Sequence, residues 1–249
     1  MSTRPLLAAL ALAAALAAPA RAGAQTKADA FAGRIPPVSG QLFRKTGRLE
    51  VSATGNLSLN DAFYTKVFGG LKVGYHLTEY FSVAAHASGG FAGKSGAASV
   101  CSAASGCQDP TEKQLWQVPG RIRALAGLEG AWTPVYGKLN VLSEQVAHFD
   151  LSVLAGPDLV LHDEVLASDE AEALALAGGT PASKSTIGGH LGLAARLYLS
   201  EWIAVRLEVK DYVYPVVVPN NGPSKDWQSQ LFTEIGVSFF FPSRNRPVR

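Results

Sequence analysis

Apolar and polar residues alternate with a period of two along most of the chain. In "RLEVSATGNLSL" (48–59), Leu49, Val51, Ala53, Gly55, Leu57 and Leu59 share one face, and Arg48, Glu50, Ser52, Thr54, Asn56 and Ser58 share the other. This is the pattern of a strand with one apolar face. It recurs over 63–77, 81–91 and 121–132, then from about 146 to Leu161, and again over 186–199, 202–214 and 231–241. The pattern predicts an all-β fold: an eight-stranded antiparallel up-and-down barrel. The segments exceed the ~5–6 residues usual for globular strands. They reach the ~9–11 residues with which a tilted strand crosses a bilayer.

The connections alternate in length. Thr78-Glu79-Tyr80 and Ser200-Glu201 are tight turns, whereas 92–119, 162–184 and 215–229 read as long loops. Long loops at one end and short turns at the other are the habit of outer-membrane barrels, with the long loops outside the cell. Two connections fit less well. Asn60-Asp61-Ala62 is short on the long-loop side, and "TPVYGKLNVLSEQ" is long on the short-turn side, with room for a brief extra strand. In the loop 162–184, Ser168 is placed to cap a short helix, with acidic residues in its first turn and Gly178-Gly179 at its end.

The polar face carries charges of both signs. Arg48, Glu50, Lys66, Lys72, Arg123, Glu129, His148, Asp150, Arg196, Arg206, Glu208, Lys210 and Glu234 are expected to face a barrel lumen. Eight strands enclose a lumen only wide enough for side chains to fill. Opposite charges there should pair, because an unpaired buried charge is costly. Asp150 and Arg196 are expected to meet across adjacent strands, with Tyr198 and Trp202 adding bulk. Aromatic residues form two expected girdles. Tyr80, Phe81, Trp132, Tyr136, Trp202, Phe239 and Phe241 fall at the short-turn end. Phe63, Phe91, Tyr212, Tyr214 and Phe232 fall toward the long-loop end. A soluble lipocalin-like barrel also alternates, with its apolar face inward. Strand length, girdles and the leader described next favour the membrane.

The first residues, "MSTRPLLAALALAAALAAPARAGAQ", have Arg4 followed by an apolar run from Leu6 to Ala18. That run suits the h-region of a signal peptide and is too short to span a bilayer as a helix. We expect a signal peptide over 1–22, with cleavage after Ala22 or Ala24. A periplasmic segment over 23–47, the barrel over 48–241 and a basic tail over 242–249 then follow. Export places Cys101 and Cys107, in "SVCSAASGCQDP", in an oxidising compartment, where they are expected to form a disulfide. The charged fraction of 17% is low and the formal net charge is only +2, which offers no footprint for nucleic acid.

The stretches "FRKTGRLEVSATGNLSLNDAFYTKVFGGLKVGYHLTEYF", "WTPVYGKLNV", "VAHFDLSVLAGPDLV", "WIAVRLEVKDYVYP" and "EIGVSFFFP" resemble a known family. It is the uncharacterised outer-membrane β-barrel proteins abundant in myxobacteria and related Gram-negative bacteria. The resemblance implies an eight-stranded outer-membrane barrel and brings no catalytic residues. Some related barrels belong to gliding-motility machinery. Outer-membrane barrels often end on an aromatic residue, whereas here Phe241 is followed by "PSRNRPVR".

Candidate chemistry is sparse. His148, Asp150 and Ser152 have the residue types of a hydrolytic triad. Same-face neighbours on one strand stand ~6.6–6.8 Å apart and point in parallel, whereas a triad needs hydrogen bonds of ~2.6–3.2 Å. They are therefore read as lumen polar residues. His76, His86, His148 and His190 also face inward, but on four strands at expected different depths, so no metal and no cofactor is expected. The acidic cluster of 162–179 lacks calcium-loop spacing. The expected function is a small outer-membrane barrel acting as a structural or interaction module through its outer loops, and not an enzyme. Its expected partners are outer-membrane lipid and envelope proteins of a motility or cell-surface complex. A lipid-modifying barrel enzyme and a soluble periplasmic ligand-binding barrel are the alternatives.

Overall fold

The computed structural model describes residues 44–104, 106–141, 145–219 and 222–241. The expected signal peptide, most of the 23–47 segment and the tail 242–249 lie outside the described residues. Among those described are ten strands: β1 (Leu49–Ser58), β2 (Tyr64–His76), β3 (Phe81–Lys94), β4 (Val100–Ser102), β5 (Gly106–Gln108), β6 (Ile122–Val141), β7 (Gln145–Asp163), β8 (Ser183–Tyr198), β9 (Ile203–Pro219) and β10 (Pro223–Phe241). Two short helices, α1 (Glu112–Leu115) and α2 (Ser168–Leu176), lie in the loops. Eight strands close into a barrel in the order β1-β2-β3-β6-β7-β8-β9-β10. Neighbours are antiparallel, and β10 closes on β1 with Leu49 opposite Phe241 and Ser58 opposite Phe232. Closure leaves no exposed sheet edge within the ring, which a bilayer requires because it offers no water to unpaired backbone groups.

The polarity of the ring is inverted relative to a soluble barrel. Along β2, Lys66, Phe68, Lys72 and His76 are buried, whereas Val67, Leu71, Val73 and Tyr75 are exposed. Leu71 is 62% exposed beside Lys72 at 2%. Such a surface is stable only where its surroundings are apolar. Leu128, Leu191, Leu193, Leu207 and Ile235 continue the apolar exterior. No helix among the described residues is long and apolar enough to cross a membrane, so any crossing falls to the strands.

Several expected loops are strands. Residues 215–229 extend β9 and β10 into a hairpin paired up to Pro219 opposite Pro223. "TPVYGKLNVLSEQ" is largely strand too, pairing β6 with β7 as far as Val141 opposite Gln145. Both hairpins project beyond the neighbouring strands, because pairing continues wherever two antiparallel segments stay in register, whatever their hydropathy. The loop after β3 holds the β4–β5 hairpin, where Cys101 and Cys107 stand opposite each other and are disulfide-bonded. The helix expected after residue 167 is present, but its N-cap is Ala167 rather than Ser168. The Glu170 carboxylate accepts from Ala167 N (3.1 Å), the half of a capping box that needs no N-cap side chain, while Ser168 Oγ donates to Gln117 Oε1 (3.2 Å). Gly178 ends α2 with a φ of 68°, the left-handed conformation glycine adopts without strain.

Candidate functional site

The lumen is where the chain concentrates its chemistry. Period-two strands aim every second residue inward, and the polar phase supplies the filling. From the loop end to the turn end the interior is layered. At the loop end an apolar layer holds Phe68, Ile122, Leu125, Val160, Tyr212, Tyr214 and Phe232. Lys66 lies buried beside it, paired with Asp61 and hydrogen-bonded to Gln230. The Tyr64 hydroxyl donates to the Leu115 carbonyl of α1, and Leu166 N donates to Trp116 O (2.9 Å), tying the loops to this end.

The middle of the lumen is an ion-pair cluster. Lys72 Nζ lies 2.9 Å from Glu129 and 2.8 Å from Glu208. Lys210 Nζ lies 3.1 Å from Glu129, 2.6 Å from Glu208 and 3.1 Å from Glu234. Arg206 joins Glu208 to Glu50, the latter at 2.9 Å. Arg196 stands within ion-pair range of Glu50 (3.4 Å) and Asp150 (3.8 Å). Four cations (Lys72, Arg196, Arg206, Lys210) thus face five carboxylates (Glu50, Glu129, Asp150, Glu208, Glu234), and Lys45, on Asp150, is the fifth cation. Balance of this kind is what lets charges persist away from bulk water, since a lone one would be strongly disfavoured. His76 Nε2 adds a 2.8 Å contact to Glu50. The cavity left among Glu50, Lys72, Glu129, Arg196 and Arg206 is about 10 Å³, roughly the least that holds one water.

At the turn end Asp150 takes three partners. It lies opposite Arg196 in the β7–β8 ladder. The Tyr198 hydroxyl donates to its Oδ2 at 2.5 Å, and Lys45 Nζ donates to the same oxygen at 2.9 Å. Lys45 precedes β1 and turns in through Gly47, whose φ is 75°. Burial lowers the Lys45 pKa, and the neighbouring Asp150 offsets this only in part. Glu79, in the β2–β3 turn, accepts from Lys45 N (3.0 Å), Thr46 N (3.1 Å) and Thr46 Oγ1 (2.7 Å). Burial would raise its carboxyl, but these hydrogen bonds prevail and hold it below the usual value. Arg48 Nη1 donates to Glu201 O (2.6 Å) across the same end. Sequence reading missed Lys45, because it lies outside any alternating segment.

Other expected positions change. Arg123 does not face the lumen. A register shift between Ile122 and Ala124 turns Ile122 inward and Arg123 outward, where it pairs with Asp163. Tyr212, Tyr214 and Phe232 are not girdle residues but are buried in the interior. For both tyrosines the phase gives the reason, since they continue the inward series of Arg206, Glu208 and Lys210. Tyr136 packs toward Tyr198 and Phe240 and stacks on His148, with ring centroids 5.9 Å apart. Phe63, Tyr80, Phe81, Phe91, Trp132, Trp202, Phe239 and Phe241 are exposed on the exterior, as is Trp227 near the loop end. Trp202 therefore adds no bulk to the lumen; it pairs with Phe239 outside, centroids 6.4 Å apart. His148, Asp150 and Ser152 do not assemble as a triad. Ser152 Oγ bonds Thr133 Oγ1 (2.8 Å), and Asp150 is taken by Lys45 and Tyr198. The expectation that the inward histidines lie apart fails for one pair: His86 and His190 converge on Asp158, as described below.

An even-stranded antiparallel up-and-down barrel with an apolar exterior, exposed aromatics toward both ends and a polar interior is the architecture of outer-membrane barrels. The fold is therefore an eight-stranded closed antiparallel barrel with the inside-out polarity of the outer-membrane class. No protein-family model matches the sequence, and no curated protein matches it. Among solved structures, it is similar to the N-terminal β-barrel domain of Pseudomonas aeruginosa OprF, with 11% identity over 79% of this chain and 98% of that one and a TM-score of 0.46. It is also similar to E. coli outer membrane protein W, with 12% identity over 79% and 99% and a TM-score of 0.40. Outer membrane protein OprG of Pseudomonas aeruginosa gives 14% identity over 81% and 99% and a TM-score of 0.38.

Proposed function

We propose that the protein is a solute-tight outer-membrane barrel that works as a structural or interaction module through its loop end, and not as an enzyme. The carrying observation is the charge-balanced cluster of Lys72, Glu129, Arg206, Glu208 and Lys210, beside which the cavity lined by Glu50, Lys72, Glu129, Arg196 and Arg206 measures only about 10 Å³. An apolar layer on one side and the Lys45–Asp150 pair on the other back that plug. The loop end is tied to the ring by the buried Tyr64 hydroxyl on the Leu115 carbonyl, and the loops to each other by Leu166 N on Trp116 O (2.9 Å). A cleft of about 440 Å³ among His162, Glu164, Val165, Lys184 and Val217 offers a partner a shaped surface there. Pre-organised loops cut the ordering cost of binding. In this reading the loops face outside the cell, and the partners are outer-membrane lipid and an envelope protein, such as a component of a motility or cell-surface complex.

Planar-bilayer recording of purified monomer tests the plug. The expected result is the absence of stable, large single-channel conductance, together with no uptake of sugars by proteoliposomes. A steady large conductance from folded monomer would overturn the reading.

A further inference from the structure

His86 on β3, Asp158 on β7 and His190 on β8 meet in the lumen between the ion-pair cluster and the loop-end apolar layer. All three are buried, and one ligand atom from each lies within 4.8 Å of the others. His190 Nδ1 stands 2.6 Å from Asp158 Oδ2, and His86 Nε2 stands 3.0 Å from Asp158 Oδ1. The second contact is not aligned as a hydrogen bond, so His86 Nε2 and Asp158 Oδ1 are both left without one. His86 Nδ1 and His190 Nε2 are likewise buried without a hydrogen bond. Buried polar atoms are overwhelmingly satisfied in folded proteins, and the facing orphans His86 Nε2 and Asp158 Oδ1 point to something that completes them.

The backbone makes room for this meeting. Asp158 lies opposite Gly127 on β6 and Gly188 on β8, and Gly127 in turn lies opposite His86. A Cβ on Gly127 would sit 2.2 Å from Asp158 Oδ1. The glycine leaves space for a short carboxylate to lie between two imidazoles.

We propose that His86, Asp158 and His190 bind a single divalent transition-metal ion, of the zinc or cobalt type. Two imidazoles and a carboxylate suit such ions, whereas calcium and magnesium prefer all-oxygen shells. Metal–ligand bonds of ~2.0–2.2 Å at tetrahedral angles separate ligand atoms by roughly 3.4 Å. The present nitrogen–oxygen separations are 3.0 and 2.6 Å, and no two of the three ligand atoms stand more than 4.8 Å apart, so that span lies within the observed range. The ion binds His86 Nε2, His190 Nδ1 and Asp158, with a water in the fourth position. His190 Nε2 then points to Glu129 Oε2, 3.5 Å away. A carboxylate behind the second ring nitrogen is the support that metal-bound histidines use to fix tautomer and orientation. Glu129 is itself held by Lys72 and Lys210, so the ion-pair cluster positions the site.

The site lies inside a filled lumen, so metal is best offered while the barrel closes. Tag-free chain is refolded from urea into detergent micelles with Co²⁺, then washed with chelator. Folded barrel is identified by its heat-dependent gel mobility. The expected result is about one Co²⁺ per folded barrel, with the strong visible absorption of four-coordinate cobalt. His86→Gln, His190→Gln and Asp158→Asn should each lower retained metal at least tenfold, and His148→Gln should leave it unchanged. Should a site variant not fold, pulsed EPR of wild type refolded with Cu²⁺ counts the imidazoles directly, with two expected. Folded wild type without metal, wild-type metal content in all three site variants, or a count other than two would overturn the proposal.

Discussion

Lys45 Nζ reaches Asp150 Oδ2 at 2.9 Å across 105 residues of sequence. The contact joins the segment before the first strand to the far side of the barrel, and both side chains are buried. Breaking one partner of a buried pair strands the other, at a cost of about 3–5 kcal/mol.

Lys45→Ala leaves Asp150 its contacts with Tyr198 and Arg196. Asp150→Ala leaves the Lys45 ammonium without its carboxylate. Asp150→Ala is therefore expected to destabilise more than Lys45→Ala, and Lys45→Met with Asp150→Asn, which keeps an acceptor for the Tyr198 hydroxyl, to recover part of the loss. Urea midpoints in detergent, followed by tryptophan fluorescence, give the ranking. Equal losses for both single variants with no recovery in the double would contradict this account.

Glu79 gives a pH dependence at the same end. Its folded carboxyl lies below the usual value near 4.5, because hydrogen bonds from Lys45 and Thr46 prevail over burial. For a depressed acid, the stabilisation is fully present above the unfolded pKa and lost as pH falls through the folded pKa. Glu79→Gln should thus be less stable than wild type at pH 7, with no change in the gap from pH 6 to 8. The gap should shrink as pH falls below about 4.5. Unfolding midpoints across pH 2–8 check this; a gap that stays constant down to pH 2 would contradict it.

Two glycines on neighbouring parts of the wall should respond differently. A Cβ on Gly127 would meet Asp158 Oδ1 at 2.2 Å and the Pro157 carbonyl at 2.6 Å, whereas one on Gly69 meets nothing within 4 Å. Gly127→Ala is expected to destabilise by about 1–3 kcal/mol through overpacking, and Gly69→Ala to be near neutral. Paired unfolding curves decide it; similar midpoints for the two variants would count against the packing argument.

The disulfide joins Cys101 and Cys107 within the β4–β5 hairpin, outside the barrel ring. Closing so short a loop constrains little of the unfolded chain, roughly 3 kcal/mol at most. Cys101→Ser with Cys107→Ser is expected to leave the heat-dependent gel shift and barrel circular dichroism unchanged. Loss of the folded band would show that the hairpin supports the ring.

In that cysteine-free background, single cysteines placed between 94 and 117 should react with an impermeant maleimide on intact cells. Labelling only after outer-membrane disruption would reverse the proposed orientation.

Alternation along the chain determined much of this protein. Residues such as Leu71 and Lys72 differ so sharply that a one-residue slip would put every charge in lipid, so each strand's inward face is written into its own hydropathy. The same phase placed Arg206, Glu208 and Lys210 on one face, and its continuation through Tyr212 and Tyr214 was legible although aromatic identity pointed the other way. Arg123 was not legible, because the register shift at Ile122 and Ala124 arises from pairing with β7 and leaves no local mark in composition. The β9–β10 extension, and the continuity of the β6–β7 one with its strands, were hidden for a similar reason, since pairing satisfies backbone groups whether or not the side chains alternate.

What only the tertiary structure decided is which inward residues share a depth. His86, Asp158 and His190 come from three strands whose stagger brings them level, and no spacing in the sequence encodes a stagger. Lys45 reaches Asp150 because ring closure brings the residues just before β1 to the end of β7, which local pattern cannot report. Side-chain period is a property of one strand and can be read from it. Convergence is a property of the closed ring, fixed by the inter-strand hydrogen bonds and their shear.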